Sequence, residues 1–338
     1  MAANPTSIEP LVHGTRVRPF EIAVWGVAFG ALVLFTFLPG YAPLANEIAI
    51  LALFAVSLDL ILGYAGIVSL GHAAFFGLGA YAAGLFAKYV TGEPLSGLLV
   101  AAALAALLGL VTSPLVLRGS DLTRLMVTLG VALILYELAN RFDNITGGAD
   151  GLQGVVMKPL LGRFSFGLSG LTAYAYSLAV LFILFLIARR IVHSPFGYSL
   201  EAIRDNRMRA TAIGIPVNRR LAAVYTLAAA YAGVAGALLA QTTSFVSLDV
   251  LDFHRSADVM LLVVIGGTGY LYGGLIGAVL FRVMYDVLSN MTTQYWQFWL
   301  GLVLVIIILV GHERLARPFH ALERLFGRRA VPGQPVPR

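Results

Sequence analysis

The chain of 338 residues is 59% hydrophobic and 12% charged, with a mean hydropathy of +0.85. A soluble domain carries about 25% charged residues, so a water-faced globular fold is excluded. The absence of cysteine removes disulfides, thiol chemistry and cysteine-ligated metal. The formal net charge of +6 is no argument for nucleic acid, because in a membrane chain the placement of Lys and Arg carries the information.

Charge-free runs extend over Ile22–Asn46, Leu60–Ala87, Pro94–Leu117, Phe164–Ala188, Leu221–Leu248, Val259–Phe281 and Val287–His312. Each exceeds the ~20 residues needed to cross a hydrocarbon core. The expected fold class is an all-α polytopic membrane protein of about ten segments: 20–38, 44–62, 73–90, 96–117, 124–141, 171–189, 220–240, 257–266, 270–289 and 294–312. The first run has no A-x-A cleavage site and reads as an uncleaved helix. With a cytoplasmic N-terminus, the cytoplasmic loops and tails hold Arg16, Arg18, Arg118, Arg124, Arg189, Arg190, Arg204, Arg207, Arg209, Arg219, Arg220 and the arginines from Arg314 onward. The opposite side holds only Lys88, Arg141, Lys158, Arg163 and Arg255. The positive-inside rule then places both termini in the cytoplasm, in a bacterial cytoplasmic (inner) membrane.

The tails span 1–19 and 313–338, on either side of a permease domain over 20–312. Within that domain, Leu58 to Gly84 is apolar yet interrupted by Gly63, Gly66, Gly71, Gly77 and Gly79. Glycine permits close backbone approach or an unwound turn. Non-helical backbone at membrane depth is tolerated where it is buried in protein or lines a cavity, and such segments point to a transport pathway. Tyr64, Ser69 and His72 share the interruption. Ser69 and His72 have the groups to bind a zwitterion, or they finish a helix end. Asp59 has no local partner; it caps, bridges to a sister subunit or lies near headgroups. Glu137 with Arg141, and Arg282 with Asp286, are spaced to neutralise one another along a helix.

The loop 142–170 carries Thr146-Gly147-Gly148-Ala149-Asp150-Gly151, a dense turn signal. With 241–256, which is acidic at Asp249 and Asp252, it is expected on the periplasmic side. The basic loop 189–220 lies opposite. In it Ser194-Pro195 predicts a helix start and Gly214 with Pro216 a stop. This short helix is either a solvated inside loop or a docking element for a soluble partner. A second glycine interruption, Gly266, Gly267 and Gly269, follows the eighth segment. Tyr295, Trp296, Phe298 and Trp299 form an interfacial belt. Arg317–Arg329 reads as a basic amphipathic stretch for anionic lipid, and Pro332–Arg338 as a disordered tail.

The segments GYAGIVSLGHAAFFGLGAYAAG (63–84), TGGADGL (146–152) and GGTGYLYGGLIGAV (266–279) resemble the LivM-type permease of branched-chain amino acid ABC importers, over nearly the whole chain. Glu201-Ala202, with Gly214 downstream, resembles the coupling segment of ABC-importer permeases; Ile203 departs from it by replacing its second alanine. The resemblance implies an ABC-importer permease fold in which Glu201, Ala202, Ile203, Arg204, Arg207 and Gly214 couple to ATPases. It also implies a LivH-like second permease, two cytoplasmic ATPases holding ATP and Mg, and a periplasmic binding protein. Gly63, Tyr64, Gly66, Ser69, Gly71, His72, Gly77, Gly79, Gly266, Gly267 and Gly269 would then bend or line the path. The substrate would be a branched-chain amino acid or, in relatives of similar sequence, urea, an amide or an aromatic acid. Neither Lys88 nor Lys158 sits in a G-x-x-x-x-G-K-[ST] loop, so this chain has no P-loop, and no cofactor is expected on it. No H-E-x-x-H, G-x-S-x-G or carboxylate cluster suggests an enzyme. A stand-alone secondary transporter is the rival reading; it would have paired acids facing a cavity.

Overall fold

The computed structural model describes residue 30 and residues 40–302, apart from 161, 168, 169, 292–294, 296, 297 and 300. The first expected segment (20–38), most of the tenth (294–312), Trp296 and both tails, with Arg16, Arg18 and the arginines from Arg314, lie outside the described residues.

In chain order the helices are α1 (Ala42–Leu62), α2 (Ala73–Tyr89), α3 (Pro94–Leu117), α4 (Asp121–Arg141), the single turn α5 (Asp143–Thr146), α6 (Leu171–Val192), α7 (Pro195–Asp205), α8 (Arg207–Ala212), α9 (Val217–Thr243), α10 (Phe253–Gly266) and α11 (Leu271–Met291). Among the described residues α1, α3, α4, α6, α9 and α11 are long and apolar enough to cross a membrane. α2 and α10, at 17 and 14 residues, are shorter. The chain is thus an all-helical, multi-pass membrane protein, with no strand among the described residues and two isolated bridges.

The apolar helices divide by what they face. α1 has no continuous polar face, and 89% of its apolar window is buried, as expected of a helix enclosed by others. α9 is the second buried element, at 72%, whereas α4 is only 17% buried. α9 packs against α3, α2 and α1, while α1 also meets α11, α6 and α10. Small residues make the α9 contacts possible. A Cβ at Gly79 would overlap the carbonyl of Gly233, one at Gly236 that of Phe76, and one at Gly233 the Ala105 methyl of α3.

Polar ties fix the ends of this core. Gln241, buried at the end of α9, donates to the Pro94 carbonyl at 2.8 Å and accepts from the Tyr176 hydroxyl at 3.0 Å. Asn46 donates to Thr242 Oγ1 at 3.1 Å. Leu152 and Val246 exchange backbone hydrogen bonds, joining the 142–170 and 241–256 stretches. Asp252 caps α10 by accepting the His254 N–H at 2.9 Å. That bond, with the imidazole beside it, holds the Asp252 carboxyl below the usual carboxylate range.

One expected pairing is replaced. Arg282 of α11 pairs with Glu47 of α1 at 2.8 Å, not with Asp286. Local spacing fixes only which charges share a helix face; here the packing of α11 on α1 supplies a closer carboxylate. Glu137 and Arg141 likewise form no ion pair among the described residues, and both are exposed on α4. Both partners of the Glu47–Arg282 pair are largely shielded, at 35% and 21% exposure, so leaving one charge unpaired is costly. Glu47→Ala is expected to lower stability by about 1–3 kcal/mol, read as a lower melting temperature in detergent. The swap Glu47→Arg with Arg282→Glu should recover most of the loss; a swap no better than the single change would mean the pair is not the source of stability.

Candidate functional site at the helix interruptions

α1 stops at Leu62, and the backbone from Gly63 to His72 is not helical. Gly66 takes a positive φ of 69°, a conformation that favours glycine. The segment is nevertheless tied down. Leu70 N–H donates to Thr128 Oγ1 of α4 at 3.3 Å, and Ala73 N–H, opening α2, donates to Ser256 Oγ of α10 at 2.9 Å. Gly71 lies so close to α4 that a Cβ would overlap the Thr128 carbonyl. The second interruption follows Gly266, with φ of 95° at Gly267 and 81° at Gly269. Gly266 and Gly273 touch backbone to backbone, which folds α10 tightly onto α11.

These two interruptions meet. Asp59, with no exposed surface, accepts the Gly269 N–H on Oδ1 at 2.8 Å, across 210 residues of sequence. A Cβ at Gly63 would overlap both that carboxylate oxygen and the Gly269 amide. The Asp59 carbonyl accepts the Gly63 and Tyr64 N–H groups at 2.8 and 3.2 Å.

The basic loop arrives at the same place. Ser194 caps α7, accepting the Phe196 N–H at 3.2 Å, and Pro195 occupies the first turn. Gly197, Leu200 and Ile203 are buried on one face, giving an amphipathic helix. The sequence predicts one short helix here and the structure has two. Asn206 is extended, at φ −158° and ψ 102°, and its side chain caps α8 through the Arg209 N–H at 2.9 Å. A short amide side chain that competes for backbone donors ends one helix and starts the next. Gly214 follows α8 with φ of 86°.

Within this loop Arg204 turns into the protein. Its guanidinium donates to the Gly63 carbonyl, and its Cγ lies 2.9 Å from where a Gly66 Cβ would stand. Glu201 is half-buried and lines a cleft of about 380 Å³ with Tyr64, Arg189, Tyr198 and Tyr270. Ile203 is buried and Ala202 half-buried, whereas Arg207, which donates to Asn218 at 2.9 Å, and Gly214 are exposed. Two exposed apolar side chains beside them, Met208 (84%) and Ile213 (75%), are not singled out by the motif, and only their exposure makes them candidates.

The remaining candidates lie apart from this junction. His72 is fully buried between Phe54 and Phe75, with its Nε2 2.8 Å from Ser57 Oγ. The Ser57 hydroxyl also reaches the Phe54 carbonyl at 2.6 Å, so the pair is tied into the helix backbone. Ser69 is also buried. Gly77 and Gly79 sit inside α2, against Leu251 and Gly233. Among the described residues no group of three His, Asp or Glu side chains is placed to hold a metal.

Comparison with known proteins adds ancestry to this geometry. The family model described as "Branched-chain amino acid transport system / permease component" matches residues 40–309. The high-affinity branched-chain amino acid transport system permease protein LivM of Escherichia coli is 28% identical over 91% of this chain and 77% of its own length. The LivH permease protein of Salmonella typhimurium is 23% identical over 77% of this chain and 88% of its own. The galactose/methyl galactoside import permease protein MglC of Haemophilus influenzae is 26% identical over 65% and 67%. No solved structure matches.

Proposed function

Because the chain belongs to the branched-chain amino acid transport system permease family, matched over residues 40–309, we propose that it is the permease subunit of an ATP-driven ABC importer. In this reading it forms half of a translocation pathway, the other half coming from a LivH-like permease. Two cytoplasmic ATPases, holding ATP and Mg, drive it. A periplasmic binding protein delivers a branched-chain or related amino acid. The chain would sit in the inner membrane with ten segments and both termini in the cytoplasm, so that α7 and α8 face the ATPases.

The observation that carries the mechanism is the convergence of α7 with both helix interruptions, through Arg204, Gly63, Asp59 and Gly269. ATP-driven closure of the ATPase pair would displace α7 and α8, and the displacement would reach the two glycine-rich segments directly. Work is done only insofar as the inward- and outward-open states differ in free energy when the ATPases close. Gly66, Gly267 and Gly269 hold positive φ and are the natural places for the backbone to bend. The alternative cargoes, urea, amides or aromatic acids, need the same machinery and differ only in what lines the path.

Affinity purification of the tagged chain from its native membranes in mild detergent, with mass spectrometry of its companions, tests this reading. Two P-loop ATPases and a second permease are expected. A chain recovered alone, and able to move solute in liposomes without ATP, would show a secondary transporter instead.

A further inference from the structure

Asp59 is an acid on a spanning helix, and such residues are costly enough to be functional by default. It is wholly buried, and one carboxylate oxygen, Oδ2, has no hydrogen-bond partner among the described residues. The other takes the backbone N–H of Gly269. The Asp59 main-chain carbonyl meanwhile collects the Gly63 and Tyr64 amides, and Arg204 of α7 holds the Gly63 carbonyl. The path α7–Arg204–Gly63–Asp59–Gly269–α11 is therefore continuous.

We infer that Asp59 is the positioning residue that makes the two helix interruptions move as one body with α7, so that one displacement of the basic loop re-aims both. The inference rests on the importer reading. Without the carboxylate, Arg204 still holds the Gly63 carbonyl, but Gly269 has no side-chain tie to α1. α7 would then shift the first interruption while the second followed only through the Tyr64 contact with the Leu271 backbone and the packing of α11 on α1. The close approach at Gly63, where any side chain would overlap both the carboxylate and the Gly269 amide, keeps this joint tight. A buried carboxylate with one unsatisfied oxygen is a poor choice for stability alone.

The test uses the whole importer, reconstituted with its ATPases, second permease and binding protein in liposomes, with leucine as probe. The readout is leucine moved per ATP hydrolysed. Asp59→Ala is expected to lower that ratio on the order of tenfold, the usual size of a coupling between sites. Asp59→Asn, which keeps an oxygen acceptor for the Gly269 N–H, should stay within about threefold of the parent. Arg204→Ala, whose side chain is 40% exposed, should give at least the loss of Asp59→Ala, and adding Asp59→Ala to it should cost nothing further. It carries the test if Asp59→Ala does not fold.

Because the chain has no cysteine, spin labels placed on Tyr198→Cys and Thr268→Cys before assembly with the partner subunits report α7 against the second interruption. One narrow distance is expected with and without ATP, splitting into two populations in Asp59→Ala. Asp59→Ala or Arg204→Ala with the parental ratio, or additive losses in the double variant, overturns the inference while leaving the importer intact. A parent complex that moves neither leucine nor any other solute with ATP overturns the importer reading, and this inference with it.

Discussion

Gly236→Ala is expected to yield no folded protein, whereas Gly130→Ala, the same one-methyl change in another membrane helix, is expected to be tolerated. At Gly236 the added carbon would overlap the carbonyl oxygen of Phe76 and stand 2.9 Å from the Ala80 amide. These are backbone atoms of α2 and cannot swing aside, so α9 must move away from α2. The cost should exceed the ~1–3 kcal/mol of ordinary overpacking, because α9 also meets α3 through Gly233 and Gly109 and meets α1 on another side. At Gly130 of α4 nothing among the described residues lies within 4 Å of the new carbon. There the change removes a flexible residue from a helix and should stabilise by about 0.5–1 kcal/mol. Fluorescent-tag size exclusion followed by a thermal ramp in detergent reads both. A monodisperse Gly236→Ala protein with the parental melting temperature would mean that α2 and α9 are not packed as described.

How much of this was legible in the sequence depends on distance along the chain. The apolar runs and the turn residues that bound them place the helix ends closely: 44–62 was expected where α1 covers Ala42–Leu62, and 171–189 where α6 covers Leu171–Val192. Hydropathy averages over a window and so finds spans well. It does not distinguish α1, enclosed on all sides, from α4, which is almost bare, because each has a window apolar enough to span a membrane whatever then packs against it. Long-range partners were not readable. Asp59 and Gly269 are 210 residues apart, and Glu47 and Arg282 are brought together only by α1 packing on α11. Local spacing offered Asp286 to Arg282 instead, an arrangement that any helix permits. Thr128 and Ser256, which hold the first interruption, carry no signal at all in the sequence, since a buried hydroxyl looks like any other. The Asn206 break between α7 and α8 was detectable, because Asn followed by Arg207-Met208-Arg209-Ala210 is an acceptable cap and helix start. The Gly214-Pro216 stop signal drew the expected boundary eight residues later.

The second large effect separates holding the ATPases from transmitting their motion. In the importer reading α7 and α8 do both, and the two tasks are expected to fall on different residues. Arg204, though 40% exposed, sets its guanidinium on Gly63 and its stem against Gly66. Met208, between Arg207 and Arg209 on α8, and Ile213, just past its end, face outward with 84% and 75% of their surface exposed. Apolar side chains so exposed on a loop outside the spanning helices invite a partner, and central apolar anchors carry most of an interface's energy. The double change Met208→Asp with Ile213→Asp is therefore expected to weaken ATPase binding by about 30-fold or more, the equivalent of ~2 kcal/mol. Titrating purified ATPase onto the detergent-solubilised permease pair would measure it. Arg204→Ala should bind ATPase within about threefold of the parent yet transport poorly per ATP. If both variants lose the ATPase equally, the loop acts as a single docking surface and the inward contact of Arg204 serves only to hold its shape. If only the Met208/Ile213 variant does, binding and transmission are separable, and what an importer gains from ATP passes through the guanidinium that joins α7 to the end of α1.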